Sequence, residues 1–271
     1  MADARLPWEF FEQVEPHLPP EQAVGPRGGR PRVPHFQVLK VIWYVLVTGC
    51  RWQDVPLELG CSGRTAHRRL QAWEEAGVWD RVHVHLLKLL NRAGELDHAV
   101  VIVDSVVVRA FGGGESTGPS PVDRRKPGTK HTLVVDRNGV PLVIRTAGAN
   151  ASDQTQLLPA VLDLPRVAGK RGRPRELPNE LYADRGYEND STRALLAWLG
   201  IEPRIAKRKT PHGSGLGKVR WVVERTIGWI KGLRRMRIRY DRSDIIQDAW
   251  TTLAAAVICF QIATRSPKPI L

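Results

Sequence analysis

The sequence contains few of the residues that define several common protein classes. Three of its 271 residues are cysteines, Cys50, Cys61 and Cys259, and no two of them form a C-x-x-C pair. This spacing argues against both a disulfide framework and a zinc ribbon. The histidines His131 and His212 likewise lack the spacing of a zinc site.

Long apolar runs are also missing. A membrane-spanning helix needs about 18 to 20 consecutive apolar residues, and the longest candidate, LAAAVICFQIA near the C-terminus, is shorter and predicts a buried helix. The first residues, MADARLPWEFFEQ, carry acids and aromatics where a signal peptide has a basic start and an apolar segment. We therefore expect a cytoplasmic protein with no membrane partner.

Acidic residues are outnumbered by basic ones. The 41 Lys and Arg residues exceed the 28 Asp and Glu residues, which gives a formal net charge of +13. Such an excess favours a polyanionic partner, most often nucleic acid. Because 42% of the residues are hydrophobic, the chain can bury one sizeable core and a smaller module.

The chain divides near residue 95 into two regions. Residues 1–95 lack strand-like runs, and PHFQVLKVIWYVLVTG predicts an apolar helix that ends at Gly49. The next segment predicts a short helix over residues 54–59, a tight turn, and a second helix over residues 64–75. This is the layout of a helix-turn-helix, whose second helix enters the DNA major groove.

One face of this second helix is polar and basic. The residues at helical spacing on that face, which we expect to contact DNA, are Arg64, His67, Arg68 and Gln71. A helical hairpin with a solvated basic surface is the alternative interpretation.

From residue 96 onward the pattern changes to strands. AVVIVDSVVVRA, KHTLVVDRNG and PLVIRTAG predict three strands, with DRNGVP as a hairpin turn. After them, helices (SDQTQLLPAVLDL, NDSTRALLAWLG) alternate with strands (ELYADRGY, EPRIAKR), and two helices close the chain. Residues 96–271 are therefore predicted to form an α/β region, with a mixed sheet and helices on its faces.

Three carboxylates stand out in this region. Asp104 interrupts a β-branched run, where an ionised side chain needs a positive partner or the end of the strand. Asp184 follows an apolar strand, and Glu224 lies on a predicted helix face between Arg220 and Lys231. An exposed ion pair between Arg220 and Glu224 is the alternative interpretation of that helix.

Sets of Asp and Glu suit hard divalent cations such as Mg²⁺. Two such ions roughly 4 Å apart activate the attacking oxygen and stabilise the leaving oxygen in phosphodiester displacement. A bound metal would supply the positive charge that Asp104 needs.

Three segments resemble the acidic segments of the DDE transposases of bacterial insertion sequences, most closely the insertion-sequence-five family. They are VIVDSVVVRA, LYADRGYEND and VRWVVERTIGWIKGLRRMRIRYD. The family's third segment carries Tyr, Arg, Glu and Lys at fixed gaps. Arg220, Glu224 and Lys231 match that spacing, whereas Gly217 stands where the tyrosine is expected. GRPRVPHFQVLKVIWYVLVTGCRWQDVP also resembles the family's N-terminal domain, so the resemblance covers most of the chain.

The resemblance implies a fold and a site. A small all-α helix-turn-helix domain over residues 1–95 would precede a catalytic domain over residues 96–271 with a mixed ribonuclease-H-like sheet and flanking helices. Asp104 and Asp184 would bind Mg²⁺ from adjacent strands, with Mn²⁺ able to substitute, and Glu224 would complete the site from a helix.

It also implies an activity and partners. A transposase would bind the terminal inverted repeats of its insertion sequence, cleave phosphodiester bonds at the ends and join the 3′-OH to target DNA by a two-metal mechanism. Its partners would be double-stranded DNA and further copies of the chain, as a homodimer or higher assembly on DNA in the nucleoid. A catalytically inert DNA-binding regulator derived from a transposase is the alternative.

Other basic segments are candidate DNA contacts. Lys126 and Lys130 precede or enter a predicted strand, where a solvated loop is equally compatible with the pattern. We expect RRMRIRY to continue the Glu224 helix and to hold phosphates through Arg234 and Arg235, beside Arg220 and Lys231. GKRGRPRE, residues 169–176, contains Arg-Gly-Arg-Pro, the core of a minor-groove-binding motif, but so short a match also arises by chance in an arginine-rich chain. Asp153 either joins the acidic site or caps a helix.

Overall fold

The computed structural model describes residues 4–21, 28, 31–168, 176–207, 217–267 and 270–271. It confirms the predicted mixed α/β architecture with a helical N-terminal region. His212 and nearly all of the candidate minor-groove segment, residues 169–176, lie outside the described residues.

The described part of the N-terminal region contains four α-helices: α1 (Trp8–Val14), α2 (His35–Thr48), α3 (Gly63–Glu75) and α4 (Val78–Ala93). As predicted, α2 ends at Gly49, whose φ of +71° is the left-handed conformation that suits glycine. Ser62 caps α3, because its hydroxyl accepts a hydrogen bond from the backbone N–H of Thr65.

The segment between α2 and α3 differs from the prediction. Residues 54–59 were expected to form a short helix, but the chain makes two 3₁₀ turns, Trp52–Asp54 and Leu57–Leu59. Pro56 stands between the turns and has no N–H to continue a helix. The predicted first helix of the helix-turn-helix is therefore wrong, and these turns connect α2 to α3. Gly63 is required there, since a Cβ on it would lie 1.8 Å from the carbonyl oxygen of Trp52.

The described strands form one sheet. They are β1 (Val100–Ala110), β2 (Gly118–Pro119), β3 (Pro127–Asp136), β4 (Pro141–Gly148), β5 (Glu180–Ala183), β6 (Glu202–Ile205) and β7 (Ile238–Arg239). β4, β3 and β1 are antiparallel neighbours, and β5 and β6 follow β1 in parallel. The predicted hairpin joins β3 to β4. Three antiparallel strands followed by two parallel ones agree with the ribonuclease-H-like expectation.

Among the residues described after β4, four α-helices accompany the sheet: α5 (Asp153–Leu162), α6 (Asp190–Trp198), α7 (Gly217–Gly232) and α8 (Asp244–Arg265). By length and composition α8 meets the criterion for a membrane span, but 72% of its apolar window is buried inside the protein. It packs against α3, α4 and β4. α8 is thus the predicted buried helix, extended beyond the apolar run, and it joins the N-terminal helices to the sheet in one hydrophobic core.

The arginine-rich segment after Glu224 does not continue α7 as expected. The helix ends at Gly232, residues Arg234–Arg237 form a 3₁₀ turn, and β7 then pairs with the end of β1. Arg235 and Arg239 are 5% and 2% exposed. Because buried guanidinium groups need fixed hydrogen-bond partners, the chain turns here to supply them.

Candidate active site

The register of two parallel strands brings Asp104 and Asp184 together. β1 pairs with β5 so that Ile102 lies opposite Tyr182. Two residues further along each chain stand Asp104 and Asp184, so their side chains extend from neighbouring strands toward the same face. Asp104 lies inside β1, whereas β5 ends directly before Asp184.

Arg220, in the first turn of α7, supplies the positive partner that the sequence required for Asp104. Its Nη2 donates to Asp104 Oδ2 over 3.3 Å and lies 3.9 Å from Asp184 Oδ2. The helix reaches both carboxylates because it packs across β1, β3 and β5. Arg220 is thus placed against the acids, although it was expected to contact DNA.

Glu224 lies one helical turn beyond Arg220 and is exposed. Within the described residues these two side chains form no ion pair, although such a pair was the alternative interpretation of α7. The negative charge of Glu224 nevertheless acts on Asp104. Glu224 is therefore close enough to Asp104 to affect its pKa, but no hydrogen bond links the two carboxyl groups.

Burial raises the pKa of Asp104 above its usual value. The backbone N–H of Ser105, 2.8 Å away, and the charge of Arg220 oppose this rise, whereas Asp184 and Glu224 add to it. The site thus holds more negative charge than Arg220 alone balances.

A fourth carboxylate, Asp153, lies beside this pair. Its Oδ1 accepts hydrogen bonds from Ser105 Oγ and Lys130 Nζ, both at 2.8 Å. Because Ser152 caps α5, Asp153 is available for these contacts. The sequence left open whether Asp153 joins the acids or caps a helix. It gave no sign of the partners of Asp153, because Ser105 and Lys130 come from two other strands, β1 and β3.

The turn after Asp184 completes this arrangement. A Cβ on Gly186 would lie 2.9 Å from Asp184 Oδ1 and 3.0 Å from Asp153 Oδ2, so glycine leaves room for both carboxylates. The next residue, Tyr187, is 1% exposed. Burial raises the pKa of its hydroxyl, and the Ser105 hydroxyl partly opposes the rise. Sequence reasoning missed both residues.

The predicted recognition face on α3 is only partly open. Arg64 and Arg68 are exposed, as a DNA contact requires. The Gln71 amide donates to Glu75 Oε1 over 2.9 Å. His67 Nε2 lies 3.7 Å from Asp241 Oδ1, and its ring meets Trp52 edge to face. His67 therefore points toward the C-terminal part of the chain, although it was expected to read DNA.

The remaining candidate DNA contacts fall into two groups. Lys231 and Arg234 are exposed, and Lys126 is half-buried. Lys130 is 7% exposed inside β3 and binds Asp153 and the carbonyl of Ala151. Arg235 is also buried and engaged. In this conformation Lys130 and Arg235 do not present charge to a DNA backbone, because each is held by internal acceptors.

The two aspartates suit a divalent cation. All the donor atoms are carboxylate oxygens, which such ions prefer, and the guanidinium of Arg220 serves as a stand-in cation between them. Among the residues that the structure describes, no three His, Cys, Asp or Glu side chains lie close enough together to hold a metal ion. Glu224 accordingly does not join the pair as a third ligand in this conformation.

Family models match both parts of the chain. Residues 95–259, more than half of the chain, match the "Transposase DDE domain", and residues 6–83 match the "Putative transposase of IS4/5 family". The chain therefore belongs to the DDE transposases of insertion sequences.

Individual relatives agree with this assignment. The chain is 48% identical over 158 residues to the "Putative transposase for insertion sequence element IS402" of Burkholderia cepacia, covering 58% of this chain and 75% of that protein. It is 42% identical over 129 residues to an uncharacterized 16.2 kDa protein of the same element, covering 47% of this chain and 88% of that protein.

Among solved structures, the Mos1 strand transfer complex is 12% identical to this chain. The match covers 91% of this chain and 82% of that chain, with a TM-score of 0.33. A likeness at this level does not extend the family assignment.

Proposed function

We propose that this transposase binds the terminal inverted repeats of its own element, cleaves phosphodiester bonds at those ends and joins the freed 3′-OH to target DNA. The observation that carries the proposal is the convergence of Asp104 and Asp184 from adjacent parallel strands around one cation. A purely structural role would not require two half-buried carboxylates to face each other.

In this proposal Asp104 and Asp184 hold Mg²⁺ or Mn²⁺, and Glu224 completes the ligand set from α7. When bound, the metal activates the attacking oxygen and stabilises the leaving one. The protein's own residues fix the carboxylates: the Ser105 N–H binds Asp104, and the Gly186 N–H donates to Asp184 Oδ1 over 2.7 Å. Lys130 and Asp153 tie β3 and α5 to Ser105 behind them.

DNA binding in this proposal uses the exposed cations. Arg64 and Arg68 read base edges at the ends, while Lys231 and Arg234 contact phosphates near the acids. Two ends must be held at once for transposition, so a dimer or higher assembly on DNA in the nucleoid is the proposed working form.

The alternative, an inert DNA-binding regulator, predicts a different outcome in one assay. The protein is incubated with labelled duplex carrying the element's ends, unlabelled target DNA and Mn²⁺. Nicked ends and joined products support the transposase, whereas end-specific binding without any cut product supports the regulator. Ca²⁺ serves as a control, because its looser coordination permits binding with little chemistry.

A further inference from the structure

One nitrogen of Arg220 lies close to both aspartates. Nη2 is 3.3 Å from Asp104 Oδ2 and 3.9 Å from Asp184 Oδ2. The two acids come from neighbouring strands and the arginine from a helix more than 30 residues later in the chain. A guanidinium thus stands where the two carboxylates would share a divalent ion.

This contact is a poor structural ion pair. A strong arginine–carboxylate pair uses two parallel N–H donors at about 2.7 to 2.9 Å, but Arg220 uses one donor over a longer distance. Its Nε is buried without a hydrogen-bond partner. Leaving such a donor unpaired costs free energy, so the arrangement is not optimised for stability.

Arg239 is an example of a structural arginine in this protein, and it differs from Arg220. Its side chain is fully buried, Nη2 donates to Asp244 Oδ1 over 2.9 Å, and Nε donates to the carbonyl of Asp241 over 2.8 Å. Its Nη1 donates to Thr129 Oγ1. Arg220, by contrast, keeps 22% of its side chain exposed. It can therefore leave the carboxylates without opening the core.

We infer that Arg220 is a resident cation of the metal site, which balances part of the charge of Asp104 and Asp184 before a divalent ion binds and moves away when the ion arrives. The inference rests on the proposed metal site. It adds that the Arg220 guanidinium competes with the divalent ion for the two carboxylates. One consequence is that metal binding frees a guanidinium near the proposed phosphate contacts. The other is that removal of Arg220 tightens metal binding.

Calorimetric titration of Mn²⁺ into the full chain without DNA tests the competition. Arg220→Gln should bind Mn²⁺ about tenfold more tightly than the wild type, because the ion no longer displaces a charge-assisted hydrogen bond. Lys231→Gln is the matched control, since it removes one exposed positive charge from the same helix without touching either aspartate. It should change the affinity less than about twofold.

The same titration at about 1 M salt, where the Debye length is about 3 Å, separates contact from general charge. Direct competition survives this screening, so Arg220→Gln stays tighter than the wild type. Equal Mn²⁺ affinity for the wild type and Arg220→Gln, or an equal gain in Lys231→Gln, would overturn the inference.

A second measurement needs no variant. Arginine labelling with phenylglyoxal, mapped by mass spectrometry, should modify Arg220 several times faster when Mn²⁺ is present. Exposed Arg64 and buried Arg239 are internal references whose labelling should not change. Unchanged labelling of Arg220 at saturating Mn²⁺ would overturn the inference.

Mn²⁺ binding by the aspartate variants distinguishes failure of this inference from failure of the proposed function. If Asp104→Asn and Asp184→Asn abolish Mn²⁺ binding while Arg220→Gln leaves it unchanged, the metal site stands and only the competition is refuted. If neither aspartate variant weakens Mn²⁺ binding, the metal site is refuted and the competition with it.

Discussion

Arg235 donates to Asp241 over 2.7 Å from inside an aromatic cage. Its guanidinium lies between 5.2 and 5.7 Å from the ring centres of Trp52, Tyr240 and Trp250, and it also donates to the carbonyl of Cys50. Burial alone would raise the pKa of Asp241, but its bonds with His67 and Arg235 outweigh burial and lower the pKa to about 2. These contacts join the N-terminal helices to the C-terminal part of the chain.

Arg235→Ala should therefore destabilise the protein. Removal of one partner from a buried ion pair leaves the other charge uncompensated, which costs about 3 to 5 kcal/mol. Urea unfolding followed by circular dichroism measures the loss. The neighbouring exposed Arg234→Ala should stay within about 0.5 kcal/mol of the wild type. Equal stabilities for the two variants would show that the cage contributes nothing.

Glu74 makes stability depend on pH. Burial, together with the charges of Asp80 and Asp248, raises its pKa to about 8. The folded protein then binds more protons than the unfolded one between the ordinary pKa of glutamate and about 8, so stability falls as pH rises through this window. Below the window the carboxyl is neutral in both states and has no effect.

Glu74→Gln removes this titration. We expect the variant to be more stable than the wild type by roughly 1 to 2 kcal/mol at pH 8, a value reduced for solvent screening of a partly exposed group. The two proteins should converge near pH 4. Thermal unfolding across this range provides the measurement, and parallel curves for the two proteins would exclude a raised pKa.

End recognition is predicted to depend on the exposed arginines of α3. Arg64→Ala and Arg68→Ala should each reduce the preference for end DNA over scrambled DNA, because a base contact contributes roughly 1 to 3 kcal/mol of discrimination. Competition binding with the two DNAs measures the preference. Equal loss of affinity on both would mean that these side chains touch phosphates only.

The sequence predicted the strands and singled out Asp104, because a β-branched run and an acid inside it are local signals. The catalytic role of Asp104 and Asp184 stays a prediction. The sequence wrongly predicted that Lys130 and Arg235 contact DNA at the surface. Both lie in basic runs, and their acidic or aromatic partners lie far away in the sequence, so the local pattern indicates solvent exposure. Lys130 on β3 contacts Asp153 at the start of α5, after the intervening strand β4. Arg235 lies over the ring of Trp52, which belongs to the N-terminal region. Such long-range contacts leave no repeating pattern in a single sequence, so they could not be predicted from it.

Salt dependence should separate exposed from buried cations. Each phosphate contact releases counterions, so Lys231→Ala and Arg234→Ala should each flatten the log–log salt slope of DNA binding by about one unit. Arg92→Ala, an exposed cation at the end of α4, should leave the slope unchanged. A slope that neither α7-region substitution alters would place the DNA path elsewhere.

Cleavage of labelled end DNA with Mn²⁺ tests most directly whether one metal site contains Asp104, Asp184 and Glu224. Asp104→Asn, Asp184→Asn and Glu224→Gln should each abolish cleavage while end binding and thermal stability persist. The triple variant should be no worse than any single one, because residues that act as a unit are non-additive. Glu9→Gln, at an exposed position of α1, should cut like the wild type. Near wild-type cleavage by a folded, DNA-binding Glu224→Gln protein would contradict the account.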